Sequence, residues 1–554
     1  MRRRTYLAII TLICFLFTIF NTTMTAYAYE GLPEKIRIGI YFERSAPASV
    51  DINSDTGFEI GYEKDGQFVC LARELSTKNL VVRKDTYFIN TGALLLEYSP
   101  NNPNVPEGTK YGPYHIQVGS TYSNYDLALQ ESNNLSKKGI QAFPAFINGT
   151  FKVWTGLYIS LEQAQAAITQ IKQSAEGKEC GIISPSATST LIFQQGSNVP
   201  KLIFDNNPSS LLIQSIPSKD AVFLIGINGK NYRGGVEFKR FSDSDLTVID
   251  LVDFEQYLYG VLPREMGGDW PLEALKAQAV SARTYAALHI NKYQKYGFNL
   301  CTTTASQVYG GYSVEKSTCT KAVEETKGKI LTYDGRPAYI YYFSTSGGQT
   351  EDIENVWGGA GVPYLVSVED SYEPTEKSAR GFWEVTMTPE AVEELLAAKG
   401  YDLGKITLVR VLENSNSGRV TKLQILGTKG EQIFEREKAR TILGLNSQLY
   451  SINTDGNLYA VGNNTANLKL IAASEVKVLS SSGINTMNVS GGRIYAMGAN
   501  TKKSYAVVPQ QYYISGKGWG HGIGLSQWGA WGMANAGFKY DQILTHYFSG
   551  TVVE

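Results

Sequence analysis

A single carboxylate in a short apolar stretch, followed by two cations at helical spacing, is the feature of this chain best suited to chemistry. The stretch is Tyr257-Leu-Tyr-Gly-Val-Leu-Pro-Arg-Glu265-Met, and Trp270-Pro-Leu-Glu-Ala-Leu-Lys276-Ala-Gln-Ala-Val-Ser-Ala-Arg283-Thr-Tyr285 comes after it. Lys276 and Arg283 lie seven residues apart, close to two turns, so both project from one face of the helix that the Ala-rich run predicts. The rest of that face is small and leaves its backbone open to a partner. An acid beside a cationic helix face can cut or grip a polar polymer. The competing reading makes Glu265 a capping carboxylate in the Pro-marked turn ahead of the helix. That place carries a difficulty, because a helix N-terminus favours the ionised form, whereas protonating a leaving oxygen near neutral pH needs the neutral acid. Burial against Leu262, Met266 and Trp270 has to raise the pKa for the acid role to hold.

Two later segments are rich in small residues. Tyr342-Phe-Ser344-Thr-Ser-Gly347-Gly348 is a polar turn where backbone can approach a ligand closely. Its serines sit in no Gly-x-Ser-x-Gly elbow, which argues against a serine hydrolase. Gly518-Trp519-Gly520-His521-Gly522-Ile-Gly524-Leu-Ser526-Gln527 lacks the Gly-Lys-Ser/Thr end of a phosphate loop. Its glycines leave Trp519, His521 and Gln527 to line a groove, with Trp519 free to stack on a ligand. A purely structural hydrogen-bonding role for His521 competes with that one. Beyond residue 28 the cysteines are Cys70, Cys180, Cys301 and Cys319. Outside the cytoplasm they allow two disulfides in any of three pairings, and free thiols are the alternative. None has metal-site spacing, so neither a metal nor another cofactor is expected.

These residues need elements to hold them. The N-terminus reads as an export signal, with Arg2-Arg3-Arg4, an apolar run from Tyr6 to Phe20, and Ala26-Tyr27-Ala28 as the cleavage site. Cleavage before Tyr29 is expected, with a retained membrane anchor as the alternative, so the protein works outside the cytoplasmic membrane. The 554 residues imply two to four domains, and 54 Gly with 35 Tyr tilt the chain toward sheets and turns. A net charge of −1 gives no general drive toward nucleic acid. The expected class is α+β and multi-domain. After the signal at 1–28, a β region covers 29–100, up to a Pro/Asn linker that starts near Tyr98. A compact unit at 110–175 follows, whose order βαββα suggests a split βαβ, ferredoxin-like sandwich. The largest domain is placed at 180–450, a β-rich inserted module at 450–505, and the C-terminal part of the large domain at 506–554. Within the inserted module, Gly456-Asn-Leu-Tyr-Ala-Val-Gly and Gly492-Arg-Ile-Tyr-Ala-Met-Gly share one frame and predict paired strands.

Four ordered segments carry a family resemblance: Val261 to Met266, Leu272 to Tyr285, Tyr342 to Asp352, and Gly516 to Ala530, closing with His546-Tyr547-Phe548. Together they resemble the stage II sporulation protein D (SpoIID)/LytB group of bacterial cell-wall proteins. The resemblance implies a lytic transglycosylase with Glu265 as its catalytic acid. One carboxylate suffices there, because the C6 hydroxyl of the sugar attacks C1 and leaves a 1,6-anhydro-N-acetylmuramic acid end. It also implies substrate contacts for Lys276, Gln278, Arg283, Tyr285, Ser344, Gly347, Gly348, Trp519, His521 and Gln527. Arg283 would fork onto the lactyl carboxylate of muramic acid. The LytB side of the group implies the alternative, a non-catalytic wall-binding enhancer of an amidase. Several family members bind zinc beside Gln-Val-Tyr; here Cys301-Thr-Thr-Thr-Ala305-Ser306-Gln307-Val308-Tyr309 keeps one thiol, and a Cys301–Cys319 bridge would steady the loop instead. The unit at 110–175 resembles a SPOR domain through Tyr114-His-Ile-Gln117-Val-Gly-Ser120 and Phe151-Lys-Val-Trp154. That likeness implies binding to peptidoglycan strands stripped of peptides, by Gln117, Ser120 and Trp154. It makes the unit an insert flanked by Cys70 and Cys180, which a disulfide could join. The partners implied are glycan strands and an amidase acting upstream, in sporulation or wall remodelling.

Overall fold

The structure, a computed structural model, describes residues 31–554 apart from residues 75, 93–94, 103, 220–221, 243 and short runs between 462 and 507; of residues 457–507 only backbone strands are described. The signal-sequence reading falls outside the described residues.

Alternating apolar residues build two large sheets. In the strand Lys35–Tyr41, Ile36 and Ile38 point into the core with no exposure, as the period of two requires. That strand pairs antiparallel with Thr247–Asp253 in a seven-stranded sheet, where Phe58–Lys64 also pairs with Leu211–Ser215. In a ten-stranded sheet Asn79–Lys84 pairs with Thr190–Gln194. Strands from before residue 100 and after residue 180 are thus neighbours in both sheets.

The chain between them forms strand Tyr114–Val118, helix Tyr125–Lys137, strands Ala142–Ile147 and Thr150–Tyr158, helix Leu161–Ser174 and strand Cys180–Ile183. Its strands lie in the order Cys180–Ile183, Tyr114–Val118, Thr150–Tyr158, Ala142–Ile147. Asn124 and Ser160 cap the two helices through their side chains. The unit does not hang on a tether. Ala142–Ile147 pairs in parallel with Pro200–Asp205, which makes its sheet continuous with the rest of the ten strands.

Helices cover the seven-stranded sheet near the carboxylate. Asp253 caps the helix Phe254–Glu265 by accepting from the Glu255 and Gln256 amides at 2.9 and 3.1 Å. The next helix, Leu272–Leu288, is packed by Phe254–Glu265, Ser317–Glu325, Gln527–Asn535 and Tyr540–Tyr547. Its Ala274, Ala277, Ala279, Ala282 and Ala286 are fully buried. The small face expected to stay open for a partner is therefore filled by the protein's own helices.

One feature departs from the domain boundaries expected. A second hydrophobic core, running from Trp383 to Ile514 and including Leu423, Phe434 and Tyr512, separates part of the 180–450 region from the first core. Its sheet sets Tyr512–Lys517 between Phe382–Met387 and Tyr450–Thr454. The stretches Gly358-Gly-Ala-Gly-Val-Pro363 and Glu373-Pro-Thr-Glu-Lys-Ser-Ala-Arg-Gly381 precede that break, a Gly/Pro signal that the expected boundaries did not use. Between Tyr450–Thr454 and Tyr512–Lys517 the chain makes three hairpins: Asn457–Val461 with Leu468–Ala472, Lys477–Ser480 with Gly483–Thr486, and Arg493–Met497 with Lys502–Ala506. The two copies of the repeated frame open the first and third of them. Among the described residues the four cysteines, Cys70, Cys180, Cys301 and Cys319, are free thiols, so neither expected disulfide pairing is present.

Candidate active site

Glu265 closes the helix Phe254–Glu265, and Pro263 lies inside that helix. This corrects the turn expected from the sequence. A proline in the last turn removes one amide donor, to the Tyr259 carbonyl, and the helix needs to run only two residues further. The correction also removes the difficulty over charge. A helix C-terminus carries a partial negative charge and disfavours a carboxylate, the opposite of an N-terminus. Burial pushes the Glu265 pKa above its ordinary value, against the Val308 amide, the Gln527 amide, Arg264 and the Tyr342 hydroxyl, which all favour the ionised form.

Glu265 lines a cavity of about 330 Å³ together with Tyr285, Thr304, Ser306, Gln307, Val308, Ile340, Tyr341, Tyr342, Trp357 and His521. Among the described residues that line it, Glu265 is the one carboxylate. A relay of side chains sets the groups around it. Tyr257 Oη donates to Gln307 Oε1 at 3.2 Å, and Gln307 Nε2 donates to the Ala282 carbonyl at 3.2 Å and to Tyr342 Oη at 3.0 Å. Because Gln307 is the donor to that oxygen, the proton of Tyr342 is left free to point at Glu265. On the other side Gln527 reaches Glu265, and its amide faces Gln278 Oε1 at 3.5 Å. Tyr309 holds the neighbouring backbone by donating to the fully buried Asp250 at 2.8 Å, whose pKa burial pushes up to about 8.

His521 closes the cavity as a neutral ring. Its Nδ1 accepts from the Ile523 amide at 3.0 Å, which puts the ring proton on Nε2. Burial pulls its pKa down to about 4, and Trp357 and Phe343 pack at 5.0 and 5.4 Å between ring centres. Tyr285, pushed up to about 12 by burial, stacks on His289 with centroids 4.1 Å apart.

Other expected contacts lie elsewhere. Arg283 is fully buried and forks onto Glu255, with Nε to Oε1 at 2.9 Å and Nη2 to Oε2 at 2.6 Å. Its remaining donors go to the Lys329 and Val323 carbonyls at 3.0 and 3.2 Å. It joins three helices and offers nothing to a ligand. Lys276 is held by Glu273 at 3.0 Å and Glu325 at 2.6 Å. Both cations share a face, as expected, but that face is a seam between elements. Ser344 and Trp519 do not line the Glu265 cavity, and the guanidinium of Arg380 lies 3.6 Å over the Trp519 ring where a sugar was expected. Gly347 and Gly348 line a separate groove. In the 110–175 unit Gln117 is half-buried and Ser120 is exposed. Trp154 is 4% exposed and stacks on His115 at 5.2 Å, under a small sheet made by Phe88–Asn90, Leu95–Glu97 and Thr109–Tyr111. It is a core residue, not an aromatic platform for glycan. Tyr342, Gln307 and Val308 were missed. They stand inside motifs already singled out, but nothing in a linear string shows which of their neighbours meet Glu265.

Residues 242–333, which span Glu265 and the helix after it, match the Stage II sporulation protein family, and residues 110–184 match the SPOR domain. An uncharacterized protein of Brachyspira hyodysenteriae (strain ATCC 49526 / WA1) is 30% identical over 325 residues, 58% of this chain and 72% of its own length. The chain belongs to the SpoIID family. It is 35% identical to an amidase enhancer of Bacillus subtilis (strain 168) over 337 residues, 59% of this chain but 45% of that relative, so it spans less than half of it. Stage II sporulation protein D of the same strain is 28% identical over 329 residues, 55% of this chain and 75% of the relative. Residues 373–471, the bulk of the second core, match a domain of unknown function, DUF8618. This SpoIID protein therefore has a cell-wall role and carries a SPOR domain.

Proposed function

We propose that the protein is a lytic transglycosylase that cuts peptide-free glycan strands of peptidoglycan. Neutral Glu265 gives its proton to the glycosidic oxygen as the bond from that oxygen to C1 of N-acetylmuramic acid breaks. The C6 hydroxyl of the same sugar then attacks C1, and the Glu265 carboxylate takes back the hydroxyl proton. No water is consumed, and one end becomes a 1,6-anhydro sugar. A single partly buried acid, raised in pKa and alone among the described carboxylates at its cavity, is the observation that carries this reading. A glycosidase that hydrolyses by the usual routes calls on a second carboxylate, and none stands among the described residues that line the cavity. On this reading the protein acts outside the cytoplasmic membrane. Residues 110–175 concentrate it on denuded strands through Gln117 and Ser120, and an amidase supplies those strands.

The second reading is a wall-binding enhancer of an amidase without chemistry of its own, favoured by the name of the 35% identical relative. Mass spectrometry of digested, peptide-free glycan separates the two. The wild type is expected to make 1,6-anhydro ends and Glu265→Gln none. Equal stimulation of an amidase by both proteins, with no anhydro ends from either, would rule out the enzyme.

A further inference from the structure

The segments Tyr342–Gly348 and Gly516–His521 run side by side, joined by a bridge between Thr345 and Trp519. One end of each, Tyr342 and His521, lines the Glu265 cavity. The other ends, Gly347 with Gly348 and Gly516 with Lys517, line a second groove of about 690 Å³. Five residues of chain separate Tyr342 from Gly347, which at full extension spans roughly 18 Å. The strands of the second core supply Phe382, Asn414, Leu449 and Ser515 to the same groove, with Phe382 paired across adjacent strands to Lys517.

The composition of this groove suits a sugar better than a peptide side chain. Phe382 is 56% exposed, a high value for a ring on a regular strand, and the Lys517 ammonium lies 5.4 Å from its centre. Ser451 and Ser515 set their hydroxyls side by side at 3.2 Å, and Asn414, whose amide donates to the Gly418 carbonyl at 2.8 Å, also lines the groove. Gly348 has φ +108° with open space where a Cβ would stand, so a ligand can rest on bare backbone there. A flat apolar face, a cation and a row of neutral hydrogen-bonding groups match the face, the carboxylate and the hydroxyls of an acidic amino sugar.

We propose that this groove is a distal saccharide subsite, which holds an N-acetylmuramoyl unit of the glycan strand whose cut lies at Glu265. It gives the region of unknown function, residues 373–471, the task of building one wall of a longer substrate channel. The proposal rests on the glycan-strand reading of the Glu265 cavity. Phe382 presents its ring to the sugar face, and Lys517 meets the lactyl carboxylate.

The test uses the full chain with Glu265→Gln, so that binding is read without cleavage. Calorimetry with peptide-free glycan oligosaccharides of two, four and eight sugars is expected to show affinity rising with length. Adding Phe382→Ala should remove about tenfold of the affinity for the longest and leave the disaccharide unchanged, with Lys517→Ala acting the same way. Phe382 is exposed enough for the variant to fold, which a melting curve checks. Length-independent affinity, or no effect of either substitution, would overturn the subsite. Binding of free stem peptide that depends on Phe382, with none of glycan, would overturn it as well. Because binding is measured on the inactive variant, a failure of the wild type to make anhydro ends would sink the catalytic reading and leave this result standing.

Discussion

At the scale of single residues, the protonation of Glu265 is set by opposed forces. Burial and the helix C-terminus hold the proton on, while the Val308, Gln527 and Tyr342 donors pull it off. The balance raises the pKa, so kcat/KM on denuded glycan is expected to fall as pH rises through it. Gln527→Ala removes one group that favours the ionised form, so the alkaline limb should move to higher pH while kcat drops. A limb that moves to lower pH in the pH–rate profile would mean that Gln527 acts on the substrate and not on the acid. His521 gives no limb near neutrality, because burial has already pulled it down to about 4.

At the scale of elements, the seam between the helices Phe254–Glu265, Leu272–Leu288 and Ser317–Glu325 fixes where Glu265 stands. Arg283 and Glu255 form its buried ion pair, 2.6 Å at the closest approach. Arg283→Met leaves Glu255 buried without its partner and is expected to cost about 3–5 kcal/mol of stability. Arg283→Met with Glu255→Leu should cost much less, since both charges leave together. Urea denaturation of the single and double variants measures the difference. If Arg283 gripped glycan instead, the single variant would keep its stability and lose affinity. The Ala-rich helix was legible as a helix from its composition and spacing. Its burial on every side was not, because an Ala face suits tight packing between helices and contact with a ligand equally well.

At the scale of the whole molecule, the SPOR domain is stitched into the sheet of its host. His115 on the inserted unit meets Asp85 of the host at 3.0 Å and the Gly156 carbonyl at 2.8 Å. Burial works against the charged imidazole, but Asp85 outweighs it, and the pKa stands above the ordinary 6.5. The pair therefore stabilises fully below that ordinary value and loses its contribution as pH rises through the folded-state value. Thermal melts between pH 5 and 9 are expected to show His115→Gln less stable than wild type at the acid end, with the gap narrowing toward alkaline pH. A gap that widens with pH would mean that the ring is buried neutral. The second core is bound in as tightly: the buried Arg419 donates from Nη2 to the Ser346 and Gln349 carbonyls at 2.7 and 3.0 Å. It thereby anchors the start of the distal groove to residues of unknown function.

Local order of residue types was enough to expect strands from alternation, helices from Ala and Leu spacing, and the βαββ run of the insert, and to single out Glu265 as a candidate acid. Those features depend on neighbours within a few positions, which a linear string records. Whether Glu265 ends a helix or precedes one was decided by three-dimensional packing, as were the fates of Arg283 and Trp154. A cation or an aromatic ring has the same chemistry in a groove as in a core. Only the fold brings Glu255 to the first and His115 to the second, and burial beside those partners turns expected ligand contacts into parts of the frame.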